Sequence, residues 1–410
     1  MKDLLIIGFV WPEPNSTAAG TRMLQLIELF QSEDYEITFV CAASKTTNTF
    51  NLEKLNIKTF EIELNDSSFD VFLKSLNPSI ILFDRFLTEE QFGWRVSETC
   101  PNALRILDSE DLHFLRSARK EALKQHKELS LDLLMNDTTK RELASIYRCD
   151  VTLIISKFEF KLLKKTFKID TSLLHYIPFL QNNISLETID SFPTFQNRKH
   201  FMTIGNFRHE PNWNAVLYLK KDIWPLIKQQ LPDAKILIYG AYATEKAHQL
   251  QNIKEGFMIK GWAKSSEDVF KNARICLAPL LFGAGLKGKL IESMQFGTPS
   301  VTTSIGAESM HHKLPWNGFI ENNPKDFAKS AVTLYTNEKM WRRAQINGLE
   351  IIDTYYSKEK YSKQLLKKVK NLQLNLKDHR LQNFIGAVLT HHTLKSTKYL
   401  SKWIEEKNSH

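Results

Sequence analysis

Short apolar runs rich in β-branched residues alternate with longer amphipathic stretches through the first half of this chain, and that rhythm limits the fold more than any other feature. The runs are Leu4–Val10, Glu36–Cys41, Ser79–Phe83, Ala103–Leu107 and Val151–Ile155, with an amphipathic stretch at Thr21–Phe30 after the first. Runs too short for helices, separated by helical stretches, predict βαβ units and a parallel sheet buried on both faces. Ser79-Ile80-Ile81-Leu82-Phe83 runs into polar Asp84-Arg85, as expected at the carboxyl end of a buried strand, where ligands of α/β proteins gather.

The pattern lapses between Ile177 and His200 into Pro178, Gln181-Asn182-Asn183 and a Ser191-Phe192-Pro193 turn, the composition of an interdomain linker. It then resumes. Strands are predicted at Phe201–Ile204, Lys235–Tyr239, Phe257–Ile259, Ile275–Pro279 and Ser300–Thr303, and helices at Trp213–Gln230, Ser266–Asn272 and Gly288–Gln295. A chain of 410 residues accommodates two such domains. The expected division is a first domain over 1–178, a linker over 179–200, a second domain over 201–338, helices over 339–373 and a basic helical tail over 374–410. The fold class is α/β, with two Rossmann-like, doubly wound domains facing across a cleft.

Chemistry concentrates after the strand Ile275–Pro279. Gly283-Ala284-Gly285-Leu286-Lys287-Gly288 runs directly into the helix containing Lys289 and Glu292. A glycine-rich loop that opens a helix presents backbone N–H groups and the positive end of the helix dipole to one point, a phosphate site. Gly283 and Gly285 let a diphosphate lie against the backbone, and Lys287 or Lys289 supplies charge to a leaving diphosphate. Glu292, one turn beyond Lys289, can accept two hydrogen bonds from the vicinal hydroxyls of a ribose. These parts ask for a nucleoside diphosphate. A plain glycine turn with two solvated lysines is the blander reading of the same residues.

Gly283–Glu292, with Phe296-Gly297-Thr298-Pro299 and Thr303–Glu308 after it, resembles the donor-site signature of GT-B glycosyltransferases of the family 4 type. Upstream, Ile204-Gly205-Asn206-Phe207-Arg208-His209-Glu210-Pro211-Asn212 resembles the first strand, turn and helix of their C-terminal domain. The resemblance implies a nucleotide-sugar donor held by the second domain, an acceptor held by the first, retention of anomeric configuration and no metal. It places Glu292 at the ribose and Gly283, Gly285, Leu286, Lys287 and Lys289 beside diphosphate and sugar. It also gives Gly20 and Arg22, in the loop and helix after the first strand, to the diphosphate, and His113 to the transferred sugar, with Asp108 and Asp111 nearby. Glu308 is a further candidate reaching the cleft. The family often carries a second glutamate eight positions before the ribose residue; Ala284 stands there instead. A single Arg208 follows Asn206 where many members carry Arg and Lys, so charge compensation falls to Arg208, Lys287 and Lys289 together. Catalytic roles are expected for His113, Arg208 and Lys289.

His209-Glu210 lacks the second histidine of a zinc helix, since Trp213 occupies its place, and the adjacent pairs His311-His312 and His391-His392 make poor bidentate ligands. No metal and no resident cofactor are expected; the nucleotide sugar is a co-substrate. Four scattered cysteines fit a reducing compartment, and no apolar run reaches the roughly 18 to 20 residues of a spanning helix, so a cytoplasmic protein is expected. Residues 356–410 hold twelve Lys/Arg against four Asp/Glu, nearly the whole net charge of +9. There Leu394, Leu400, Trp403 and Ile404 can share a helix flank with Lys395, Lys398, Lys402 and Lys407. Such a flank suits peripheral contact with the anionic inner face of a membrane, or packing on the protein itself. The expected partners are a nucleotide-sugar donor and a glycan or lipid-linked acceptor, without nucleic acid. Two rival functions use the same architecture: a sugar-nucleotide epimerase, and a catalytically silent nucleotide-sugar-binding protein.

Overall fold

The computed structural model describes residues 2–391 together with Tyr399, Trp403 and Lys407. The first domain is a seven-stranded parallel sheet of β1 (Asp3–Gly8), β2 (Glu36–Cys41), β3 (Lys58–Glu61), β4 (Ile80–Asp84), β5 (Leu104–Asp108), β6 (Val151–Ile154) and β7 (Leu174–Tyr176), in the order β3-β2-β1-β4-β5-β6-β7. The second is a six-stranded parallel sheet of β8 (Lys199–Ile204), β9 (Ile236–Tyr239), β10 (Phe257–Gly261), β11 (Ala273–Ala278), β12 (Ser300–Thr302) and β13 (Gly318–Ile320), in the order β10-β9-β8-β11-β12-β13. Central strands such as β1 and β4 are buried on both faces, which is why their sequences are continuously apolar. The strands without an apolar run, β3, β7 and β13, lie at sheet edges and are three or four residues long.

Strand order reverses between β1 and β4 in one sheet and between β8 and β11 in the other. At such a reversal the connections leave to opposite faces and open a crevice at the carboxyl ends. The two crevices face each other across one cavity lined by both domains.

The helix predicted at Trp213–Gln230 begins earlier, at Glu210, with Pro211 in its first turn, where the missing N–H costs nothing. It widens into a π turn over Leu219–Ile223 just before Pro225, which has no N–H to continue the α ladder. After the second domain, the helix Glu338–Tyr355 leads back. The helix Lys358–Leu374 then buries Tyr361, Leu365, Val369 and Leu372 in the core of the first domain, with Leu4, Ile6, Leu26 and Phe30. This return runs beside the linker: Gln181 N–H donates to the Tyr356 carbonyl and Lys358 N–H to the Gln181 carbonyl, both at 2.8 Å.

Two short helices, Leu376–Gln382 and Phe384–His391, follow on the first domain. Arg380 fastens them, donating to the two carboxylate oxygens of Asp150 at 2.7 and 2.8 Å. Trp403 and Lys407 are exposed; Leu394, Lys395, Lys398, Leu400, Lys402 and Ile404, which complete the basic amphipathic flank, lie outside the described residues.

Candidate active site

A cavity of about 560 Å³ fills the space between the two crevices. Its second-domain wall is the loop after β11 and the helix Gly288–Gln295. The N–H groups of Leu286, Lys287, Gly288 and Lys289 donate to no group among the described residues, so the helix start is open to an anion. Lys289 reaches across to donate to Asn212 Oδ1 at 2.9 Å. It passes under Gly205, where an added Cβ would come within 2.8 Å of its Nζ. Glu292, three residues on, accepts from Ser266 Oγ at 2.6 Å and keeps its other carboxylate oxygen for the cavity it lines. Lys287 is buried and folds back on its own loop, donating to the carbonyls of Gly285 at 2.7 Å and Ala284 at 3.1 Å.

Burial lowers both lysines to about 8, with the carboxylates of Glu308 and Glu159 partly opposing the shift at Lys287 and that of Glu292 at Lys289. Burial raises Glu292, while Ser266 and Lys289 draw it back. The lysines are thus poised near their titration point, and an arriving diphosphate favours their charged forms. Since the free groups lose their protons as pH rises through about 8, the protein's affinity for a nucleoside diphosphate is expected to fall above that pH. We expect a loss of about tenfold between pH 8 and 10, read by calorimetric titration with UDP.

The first-domain wall carries Arg85, Glu110, Asp111, His113 and Arg116, with the start of the helix Ala18–Gln31 beside them. His113 opens the helix His113–Lys124, its N–H held by the Glu142 carboxylate at 3.2 Å. Its Nε2 lies 3.5 Å from Asp111 Oδ1, but burial outweighs that neighbour and lowers His113 to about 4, so the ring is neutral at neutral pH. Burial would raise Asp111, yet Arg116, His113 and His209 prevail and hold it below the usual carboxylate range. Arg208, at the rim, lays its guanidinium 3.9 Å from the centroid of Tyr242, whose hydroxyl meets the Glu13 carboxylate of the first domain at 2.7 Å.

The structure therefore gathers His113, Arg208, Gly283, Gly285, Leu286, Lys287, Lys289 and Glu292 around one cavity. Three expected members are elsewhere. Arg22 is 1% exposed, with its guanidinium consumed by Asp108 at 2.8 to 3.1 Å and by the Ile177 carbonyl at 3.0 Å, and so cannot reach a diphosphate. Gly20 faces the backbone of Glu13, which an added Cβ would approach to 2.5 Å; its smallness serves that packing and not a ligand. Glu308 is taken by Arg119, whose two terminal nitrogens donate to its carboxylate at 2.6 and 3.0 Å.

The glycine loop is also held differently than its sequence suggests. Gly285 N–H donates to Glu159 Oε1 of the first domain at 2.8 Å, so this amide is unavailable to phosphate. Gly285, at φ 64, presses on Asp111, and Gly288 on Ala18, with added Cβ atoms meeting theirs at 2.8 and 2.5 Å. Glycine is needed at both places because the other domain lies there. Ala284 joins the apolar cluster of the first domain with Leu112 and Phe114, surroundings in which a glutamate would bury an unpaired charge.

Two residues that clasp this loop escaped sequence reasoning. Glu159 follows Ser156 at the spacing of a capping box, yet it reaches away, to Gly285 and to Leu112 N–H at 3.1 Å. Burial and the charge of Asp111 raise it to about 7. Arg119 donates to the Gly283 carbonyl at 2.8 Å while holding Glu308. Nothing in the sequence around either residue points across a cleft. Among the described residues no group of three or more His, Cys, Asp and Glu could hold a metal ion.

Comparison with known proteins adds a family. The model of the family "Glycosyl transferases group 1" matches residues 198–337. A curated relative, an uncharacterized 44.6 kDa protein in the cps region of Klebsiella pneumoniae, is 23% identical over 171 residues, which span 40% of this chain and 44% of that protein. Among solved structures, sucrose-phosphate synthase from Thermosynechococcus elongatus superposes with a TM-score of 0.65 at 14% identity, covering 91% of this chain and 99% of that one. A TarM variant from S. aureus, in complex with fondaparinux, α-GlcNAc-glycerol and UDP, gives 0.67 at 13% identity over 91% and 100% of the two chains. Anabaena HepE in complex with UDP and glucose gives 0.67 at 12% over 90% and 99%. Residues 198–337 thus resemble the group 1 glycosyltransferases, and the chain as a whole shares the two-domain GT-B fold of these solved structures, with the matched segment as its second half.

Proposed function

We propose that the protein is a retaining, metal-independent glycosyltransferase, moving a sugar from a nucleoside-diphosphate-sugar donor to a glycan, lipid-linked or small-molecule acceptor. The observation that carries this reading is the convergence of an open helix start, Lys289 and Glu292 on one wall of the interdomain cavity. In it, the amides of residues 286–289 and Lys289 bind the diphosphate, and the free oxygen of Glu292 accepts from the ribose hydroxyls. UDP is the first nucleotide to try, since it occupies the TarM and HepE structures.

Charge that develops on the departing diphosphate is met by Lys287, Lys289 and Arg208, which makes a metal dispensable. Neutral His113 stands across the cavity and can donate to or accept from a hydroxyl of the transferred sugar without adding charge. Retention in this reading proceeds by attack on the face the diphosphate leaves, with the phosphate oxygen taking the acceptor's proton. The experiment is early-time NMR of a UDP-sugar incubation in EDTA, read before mutarotation. UDP release with the donor's anomeric configuration kept is expected; an inverted product, or release abolished by EDTA, would contradict it.

The same reading places the protein against an anionic membrane through its C-terminal segment. No helix among the described residues is long and apolar enough to cross a membrane. However, Leu374, Leu381, Phe384, Ile385 and Val388 are 47 to 76% exposed beside Lys377. Exposed apolar side chains with basic neighbours suit an interfacial contact. Sedimentation with vesicles containing phosphatidylglycerol is expected and should be lost with Phe384→Ser/Ile385→Ser; equal sedimentation with neutral vesicles would refute the electrostatic part.

A further inference from the structure

On the first-domain wall, β4 and β5 end side by side, with Asp84 paired to Asp108, and each strand end is followed by a residue in an unusual conformation. Arg85 has φ 69 and Glu110 has φ 59. Of the described non-glycine residues at positive φ, only these two line the cavity; most of the others are turn residues on the surface. A left-handed backbone is costly for a long side chain and persists where the surroundings enforce it, most often at functional sites. Here it brings a guanidinium and a carboxyl group to one wall without joining them. The Arg85 guanidinium makes no hydrogen bond among the described residues, its nearest carboxylate contact being Asp84 Oδ1 at 3.7 Å from Nε. Glu110 Oε1 is buried with no hydrogen-bond partner among the described residues. An unpaired donor fork and an unpaired acceptor, side by side in a wall, describe a polar ligand that offers both kinds of group.

The neighbours narrow the ligand further. Phe9 and Val10, which follow β1, are 36% and 44% exposed and line the same cavity, and Arg85 lies 5.2 Å over the Phe9 ring. A sugar presents an apolar ring face to such a surface and hydroxyls at its edge. Arg22 matches Asp108 and Arg116 matches Asp111, while Asp84 and Glu110 stand beside Arg85, so a phosphate or carboxylate arriving here would find no surplus positive charge. We infer that Arg85 and Glu110 select the acceptor, and that the acceptor's terminal unit is a neutral sugar lying on Phe9, with adjacent hydroxyls accepting from Arg85 and donating to Glu110. This rests on the glycosyltransferase reading above and specifies its acceptor.

The test is saturation-transfer NMR in the presence of UDP. The panel contains the methyl glycosides of glucose, galactose, mannose, rhamnose and N-acetylglucosamine, with glucuronic acid and glucose 6-phosphate as charged counterparts. At least one neutral glycoside should be saturated by the wild type, and that signal should drop about tenfold or more in Arg85→Ala and in Glu110→Gln, while UDP stays saturated in both. The UDP signal certifies the fold of each variant, and Arg85→Lys, which keeps the charge without the fork, replaces Arg85→Ala if the latter does not fold. Saturated UDP with no neutral glycoside signal, a preference for the charged sugars, or glycoside signals that survive in both variants would overturn the acceptor inference alone. A wild type that leaves UDP unsaturated would overturn the donor-site reading, and this inference with it.

Discussion

Replacing Lys289 with alanine should lower kcat by about 10²–10³-fold with donor hydrolysis or transfer as the readout, the usual cost of removing one preorganised charge donor from a developing oxyanion. Lys289 is suited to this because it is held without being neutralised. Asn212 Oδ1 fixes its Nζ at 2.9 Å, and Gly205 leaves it room, but no carboxylate among the described residues is bonded to it. Its charge is therefore available to the diphosphate, and burial strengthens the interaction by removing water. Lys287 is a weaker candidate for the same role, since its ammonium already serves two carbonyls of its own loop. A stopped-time assay over a range of donor concentrations separates the cases. A kcat for Lys289→Ala within threefold of wild type would remove this residue from the mechanism.

Arg22→Met should destabilise the first domain by about 3–5 kcal/mol, because it leaves Asp108 buried with no counter-charge. Arg22 and Asp108 are 1% and 0% exposed, and the guanidinium fork also spans to the carbonyl of Ile177, at the start of the segment leading to the linker. Burial alone would lower its pKa, but the Asp108 carboxylate prevails and raises it, so Arg22 stays charged. Urea unfolding followed by fluorescence gives the stability, and the double variant Arg22→Met/Asp108→Leu should recover much of the loss. The donor KM of whatever fraction folds should be unchanged. A normal midpoint with a raised donor KM would restore Arg22 to the diphosphate.

That contrast shows what the sequence made legible and where it stopped. The sheets were readable because β1, β4, β5 and β11 are buried on both faces and so advertise themselves as apolar runs. The edge strands β3, β7 and β13 lack that signature. The donor loop was readable because one contiguous segment supplies glycines, lysines and an acid at helical spacing. Arg22 was misplaced because a basic residue in a first-domain helix looks the same whether it faces a cleft or a buried aspartate 86 positions away. The glycines were seen as needed but for an incomplete reason, since the second domain's loop is shaped by Asp111 and Ala18 of the first. Glu159 and Arg119 were unreadable on the same ground: each acts on a partner more than 120 positions distant, and no local spacing encodes such a pairing.

The most direct test of the donor site is calorimetric titration of UDP, at pH 7 and low salt, into the wild type and into Glu292→Ala. One site per chain is expected in the wild type, with affinity reduced by about 10–100-fold in the variant, the loss of a charge-assisted pair of hydrogen bonds to the ribose. Absence of heat with the wild type, or equal affinity in the two proteins, would contradict the account.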